Sequence, residues 1–277
     1  MMELTAQERQ AATRMIEDAD PFTRLNAHMT LARDSVMRAD LLGALDLASK
    51  GLAIARDIRD DDVVAEAIML RAAVLWDLQR FDEAALNYLD AAALYRQRGD
   101  VDTEGLAYLR LAWVTFQAGN YEDVFDHVQR AVDVYRNPAD ERLLANLIRL
   151  AEESVAMGQF ELSLQCSELA IDIASGFDDE PMHWNARGLR LLALECLGRT
   201  DAAVALGRVL VEEGLAADSR DRTVGMAVLL MQVHANAGDT REAAHVGARL
   251  LAHFGARLTD EQRSMVLLAQ EPGRRAS

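Results

Sequence analysis

The chain has 277 residues, 51% hydrophobic and 27% charged, a balance that supports a packed core and excludes a disordered chain. Its formal net charge of −16 repels phosphate backbones and anionic headgroups, which excludes nucleic acid and membrane surfaces as first partners. Two cysteines, Cys166 and Cys196, give no disulfide framework and no zinc-ligand spacing, and no apolar run reaches the roughly 18 residues of a membrane span. The polar, acidic start from Met1 to Glu8 lacks the pattern of a signal peptide, so the expected location is the reducing cytoplasm.

Sparse proline and glycine among abundant Ala, Leu, Arg and Glu favour helices over sheets. Residues 5–18 read as a first helix: Thr5 and Glu8 have capping-box spacing, and Ala11, Ala12, Met15 and Ile16 form one apolar stripe. Asp20-Pro21 breaks the chain and sets proline in the first turn of the next helix. From there helix, short turn, helix and loop recur six times. The turns are Arg38-Ala39-Asp40-Leu41, Leu78-Gln79-Arg80-Phe81, Ala118-Gly119-Asn120-Tyr121, Met157-Gly158-Gln159-Phe160, Leu197-Gly198-Arg199-Thr200 and Ala237-Gly238-Asp239-Thr240. Their last residues fall at 41, 81, 121, 160, 200 and 240, and so constant a spacing signals stacked repeats rather than separate globular domains.

In the second copy Ala65, Ile68, Met69, Ala72, Leu75 and Trp76 follow spacings of three and four. Phe81, Ala84, Ala85, Tyr88, Ala91 and Ala92 do the same after the turn, so both helices are amphipathic. Gly119, Gly158, Gly198 and Gly238 suit the positive φ that ends a helix. The loops between copies are acidic: Asp60 to Asp62, Asp100 to Asp102, Asn137 to Asp140, Asp178 to Glu180, and Asp218 to Asp221. They lack calcium-loop spacing, and capping of the following helix is the preferred reading. Thr259-Asp260-Glu261-Gln262 opens a last helix with a second capping box. The chain thus divides into an N-terminal capping helix (1–20), an array (21–258), a C-terminal capping helix (259–270) and a disordered tail (271–277). The six units of the array run about 22–60, 61–100, 101–138, 139–179, 180–218 and 219–258.

No catalytic constellation is visible. The six histidines are scattered, with no His-Glu-x-x-His pair and no glycine-rich phosphate loop, and His28 and Cys196 read as isolated groups on inward-leaning helices. The expectation is no catalytic residue, no metal and no cofactor.

The repeat resembles the tetratricopeptide repeat in a version of about 40 residues. The family's small residue in the middle of its first helix is matched by Ala32, Ala72, Ala112 and Ala151, and its turn glycine and aromatic by Gly119 with Tyr121 and Gly158 with Phe160. The small residue one turn into its second helix is matched by Ala44, Ala84, Ala203 and Ala243, and a further alanine by Ala91, Ala131 and Ala170. Copies five and six depart, with Leu191 and Met231 at the mid-helix position and Thr200 and Thr240 at the turn. The resemblance implies an all-α, right-handed superhelical α-solenoid of six helix-turn-helix repeats with flanking capping helices. It further implies a concave groove lined by the first helix of each unit.

Carrying the groove positions over makes Met29, Arg33, Met69, Trp76, Leu109, Arg110, Trp113, Phe116 and Arg149 the candidate partner-binding residues. Met re-packs easily and Trp offers area at small entropy cost, which suits an adaptable contact. A Met and Trp stripe at helical spacing also suits a core. Arg33, Arg71, Arg110, Arg149 and Arg190 recur with the repeat; such a row can grip carboxylates of a partner or pair internally with Glu66, Glu104, Glu152 or Glu195. The implied function is a non-catalytic, bacterial-type scaffold or adaptor that takes a peptide or helix of another protein in the groove of units one to four. Two alternatives stay open: a sensory or regulatory module serving a separate output protein, and self-association as a homodimer or larger structural homo-oligomer. The Lys and Asn pattern of chaperone-tail-binding members is absent.

Overall fold

The computed structural model describes residues 3–135, 141–176 and 180–269, and every regular element within them is an α-helix. The chain forms two compact units, residues 1–138 and 139–277. The first holds α1 (Ala6–Met15), α2 (Pro21–Met37), α3 (Leu41–Ile58), α4 (Asp61–Asp77), α5 (Phe81–Arg98), α6 (Val101–Gln117) and α7 (Tyr121–Val134). The second holds α8 (Glu141–Ala156), α9 (Phe160–Ala174), α10 (Glu180–Cys196), α11 (Thr200–Ala216), α12 (Arg220–Asn236), α13 (Thr240–Phe254) and α14 (Asp260–Leu268). From α1 to α7, and from α8 to α13, each helix packs on the next in sequence; α14 returns to α12. First helices of neighbouring repeats also meet, α2 with α4 in the first unit and α10 with both α8 and α12 in the second. This is an all-α solenoid of helical hairpins.

One backbone device builds all six hairpin turns. The residue at 39, 79, 119, 158, 198 or 238 takes the left-handed conformation, with φ between 59° and 82°. The next residue donates its N–H five positions back, as from Asp40 to Ser35, Arg80 to Leu75 and Asn120 to Thr115, at 2.9–3.1 Å. These are Schellman closures, which satisfy carbonyls a helix end leaves unpaired. Four turns use glycine at the left-handed position; Ala39 and Gln79 adopt the same φ with a side chain in place.

Small residues then let the paired helices approach. Ala32, Ala72 and Ala151 are fully buried and Ala112 nearly so, as are Ala44, Ala84, Ala203 and Ala243 on the second helices. In copies five and six Leu191 and Met231 are buried without remaining exposure. A Cβ on Gly207 would stand 2.9 Å from Leu230 Cδ1, one on Gly188 2.7 Å from Met226 Cε, and one on Gly214 2.3 Å from Thr223 Oγ1. Glycine on one helix thus makes room for a larger side chain on its neighbour at these three contacts.

Asp34 fixes the N-terminal helix. Its carboxylate accepts from the Leu4 N–H at 2.8 Å, Arg9 Nε at 2.6 Å and Arg38 Nε at 3.1 Å, while its side chain is 1% exposed. Both capping boxes form, Thr5 with Glu8 and Thr259 with Gln262. Of the acidic loops, Asp60 and Asp100 cap the helices that follow them. Asp218 does not: it accepts from both terminal nitrogens of Arg257 at 2.5 and 2.8 Å and faces His253 Nε2 at 3.1 Å, tying the loop to the end of the next hairpin. The loops at 137–140 and 178–179 and the tail at 271–277 lie outside the described residues.

Candidate interaction faces

Successive residues of a helix turn by about 100°, so position relative to the mid-helix small residue fixes the face. Measured from Ala32, Ala72, Ala112, Ala151 and Leu191, the five periodic arginines stand at +1, −1, −2, −2 and −1. Arg33, Arg110 and Arg149 thus share a sector about 60° wide, and Arg71 and Arg190 lie on another side. Contacts agree with this division. Arg71 donates to Ser49 Oγ at 3.2 Å and Asn87 Oδ1 at 2.8 Å, both on second helices, and Arg190 pairs with Glu168 of α9 at 3.2 Å. The single row of cations expected from the sequence is therefore two sets, one of which belongs to hairpin packing.

In the first unit the nominated residues separate by burial. Met29, Leu109, Trp113 and Phe116 are 3–5% exposed and serve as core. Met29 packs in the cluster of Leu25, Leu52 and Tyr95, with its sulfur 3.4 Å from where a Cβ on Gly51 would sit. Trp113 meets Phe116 edge-on at 6.0 Å between centroids, and Phe116 meets Tyr121 at 5.2 Å, so this aromatic chain ties the turn to α6. Arg33 and Arg110 are exposed, and Met69 and Trp76 are half-buried. The Arg110 guanidinium lies 5.9 Å from the Trp76 ring centroid, within cation–π range. Arg149, in the second unit, is exposed.

The second unit holds a more enclosed feature. A cavity of about 470 Å³ opens among α8, α10 and α12, lined by Val155, Leu192, Cys196, Gly225, Val228, Leu229 and Ala235, by Phe160 at the start of α9, and by Met265 of α14. Glu195, Gln232 and Asn236 supply its polar groups, with Asn236 Nδ2 donating to Glu195 Oε1 at 2.7 Å. Counted from Leu191 and Met231, Leu192 and Gln232 stand at +1, Glu195 and Ala235 at +4, Val228 at −3 and Gly225 at −6. The +1, +4 and −3 positions are those that nominated Arg33, Trp76 and Met69 in the first two copies. The same register carried into copies five and six would have found them.

Titratable groups elsewhere suit structural duty. Burial pushes the Cys166 thiol up to about 12, and burial lowers His127 and His234 from the ordinary imidazole value. His28 Nδ1 lies 2.8 Å from the Arg24 carbonyl oxygen. Among the described residues no three His, Cys, Asp or Glu side chains form a group able to hold a metal ion. No described helix is long and apolar enough to cross a membrane.

The family model described as tetratricopeptide repeat matches residues 63–137. No curated protein sequence matches the chain. Among solved structures, the fold is similar to a STAND signal transduction ATPase with a tetratricopeptide repeat sensor from Pyrococcus horikoshii, at TM-score 0.59 and 16% identity over 93% of this chain. The match spans 41% of that ATPase chain. BtubC from P. vanneervenii is similar at TM-score 0.51 and 18% identity, over 99% of this chain and 98% of its own. A Rap protein complexed with competence and sporulation factor is similar at TM-score 0.50 and 15% identity, over 89% of this chain and 70% of its own. Over residues 63–137 the chain carries the tetratricopeptide repeat, and the period and alanine positions continue a similar pattern along an all-α solenoid fold that these neighbours share.

Proposed function

We propose that the chain is a non-catalytic protein-interaction scaffold of the cytoplasm that takes a peptide or helix from a partner protein on the faces of its first helices. Tetratricopeptide repeats are in general interaction modules, and the repeat faces here carry exposed or half-buried Arg33, Met69, Trp76 and Arg110 in the first unit. The observation that carries the reading is the apolar cavity of the second unit, whose size and mixture of apolar wall with a few polar groups fit an anchor side chain of a bound segment. Met265, projecting from a helix into its lining, has the chemistry expected of such an anchor.

Gly225 offers the test. A Cβ there meets nothing within 4 Å, so Gly225→Leu adds its side chain to the cavity lining from an unobstructed start. Affinity enrichment with wild type and Gly225→Leu side by side should recover partners that the variant loses while both proteins melt alike. The same partners on both proteins would overturn the cavity as anchor point. Trp76→Ala and Arg110→Ala examine the first-unit face in the same assay.

A second reading, a sensory module for a separate output protein, draws on two neighbours of the fold, one described with a tetratricopeptide repeat sensor and one complexed with competence and sporulation factor. It predicts that an enriched partner carries the output activity. Self-association is a third reading, and light scattering that finds only monomer at high concentration removes it.

A further inference from the structure

We infer that the apolar cavity of the second unit selects a basic partner segment, one that carries a lysine or arginine close to the apolar side chain it buries there. This rests on the cavity being the anchor point of a bound segment, and it names what that segment carries.

Glu195 stands half-buried in the lining, and among the described residues of that lining there is no lysine, arginine or histidine. Its carboxylate meets neutral donors: Asn236 Nδ2 donates to Oε1 at 2.7 Å, and Cys196 Sγ to Oε2 at 3.5 Å. Glu152 repeats the arrangement. It is exposed, lies one turn before the lining residue Val155 on α8, and accepts from Asn185 Nδ2 of α10 at 3.1 Å. Neither carboxylate forms an ion pair with a described residue. Elsewhere in the unit arginines neutralise carboxylates, as Arg187 does Glu213 at 2.5 Å, Arg249 does Glu212 at 2.5 Å and Arg199 does Glu161 at 2.9 Å.

Amide and thiol donors orient a carboxylate without cancelling its charge, so Glu195 and Glu152 keep both charge and acceptor capacity for a cation from outside. The net charge of −16 adds attraction for a basic partner and repels an acidic one. The same partner must bring an apolar group for Leu192, Val228 and Leu229. Apolar surface also continues past the cavity: Met265 of the lining is 36% exposed, and Leu268, one turn further along α14, is 48% exposed. A strip longer than the cavity suits a chain segment better than a compact amine.

Random dodecapeptides displayed on phage and selected on the intact chain provide the test. Wild type should enrich sequences that set lysine or arginine within about four residues of Leu, Met or Phe, the reach of one helical turn. An enriched peptide, labelled with fluorescein, is then titrated by anisotropy. Glu195→Gln keeps the acceptor for Asn236 and removes the charge, so it should melt like wild type and bind about five- to tenfold more weakly. Glu195→Lys should prefer the same peptide with glutamate in place of its cation. The peptide should also slow alkylation of Cys196, which lines the cavity, and so report where it sits. Enrichment without a cation, or affinity unchanged by Glu195→Gln, would overturn the charge selection; loss of those peptides on Gly225→Leu would leave the anchor point standing. Peptides that bind Gly225→Leu as tightly as wild type, or a library that enriches none, would remove the anchor point as well. Hexylamine binding more tightly than the peptide would assign the cavity to a small amine instead, and dimers of the free chain that Gly225→Leu disperses would assign it to a second copy.

Discussion

Asp34→Asn isolates the interaction that holds the N-terminal helix. Ala12 is the only buried side chain of α1, so apolar contact anchors that helix weakly and the Asp34 carboxylate does most of the holding. The Arg9 hydrogen bond, partly opposed by burial and aided by the Leu4 N–H, keeps Asp34 near 2 against an ordinary value of 3.8. At about 1.4 kcal/mol per unit, that difference bounds the charge contribution at roughly 2.5 kcal/mol. Arg9 and Arg38 retain 28% and 38% side-chain exposure, so solvent screening brings the expected loss on substitution to about 1–2 kcal/mol. The folded-state value is depressed, so this stability is fully present above the ordinary value and disappears as pH falls from about 4 through about 2. Urea denaturation should show the deficit at pH 7, with the two proteins converging near pH 2. Hydrogen exchange should quicken in α1 and leave α4 and α5 unchanged, because repeats exchange energy only with their neighbours. Equal stability at pH 7, or a deficit undiminished near pH 2, would refute the reasoning.

At the left-handed turn positions, Ala39→Gly and Gln79→Gly should each raise stability by about 0.5–1 kcal/mol, since the relieved φ strain exceeds the added unfolded-state entropy. Gly119→Ala should lower it by about 1 kcal/mol, and calorimetric melting checks all three. Gly207→Ala should destabilise by about 1–3 kcal/mol, because its methyl would press on Leu230 at 2.9 Å. Gly225→Ala should stabilise by about 0.5–1 kcal/mol, because it improves the helix and meets nothing. In a thiol-reagent assay at pH 8, half-buried Cys196 should react and Cys166 stay inert until unfolding, its thiol being held near 12 by burial.

The architecture was legible because the turn is written locally. Glycine at 119, 158, 198 and 238, and aromatics at 81, 121 and 160, mark a backbone closure that needs no distant contact to be recognised. Ala39 and Gln79 were legible only through the period, since neither residue type signals a left-handed turn. Burial was harder to read. Phe116 lies in the register of Trp76 and Trp113 in that of Arg33, but whether such a position faces core or solvent depends on neighbours elsewhere in the chain, here the ring of Tyr121. The arginine repeat misled for a related reason: intervals of 38 to 41 residues look constant, yet one residue of drift turns a side chain by about 100°. Asp218 looked like a cap beside other caps, and only the fold brings Arg257 and His253 to it.

Copies five and six fit the repeat pattern least, and the apolar cavity of the second unit involves their helices. A close-packed array returns volume wherever a buried position gains it, which explains Gly188, Gly207 and Gly214 beneath Met226, Leu230 and Thr223. Gly225 does not fit that explanation. It lies inside α12, where glycine costs about 0.5–1 kcal/mol relative to alanine, and no side chain uses the space it leaves. The space opens instead into the apolar cavity, beside Leu229 and Met265. A cost that packing does not recover within the chain is what the proposed function requires of a site kept open for a partner. The opposite signs expected for Gly207→Ala and Gly225→Ala separate glycines that serve the fold from one that serves the cavity.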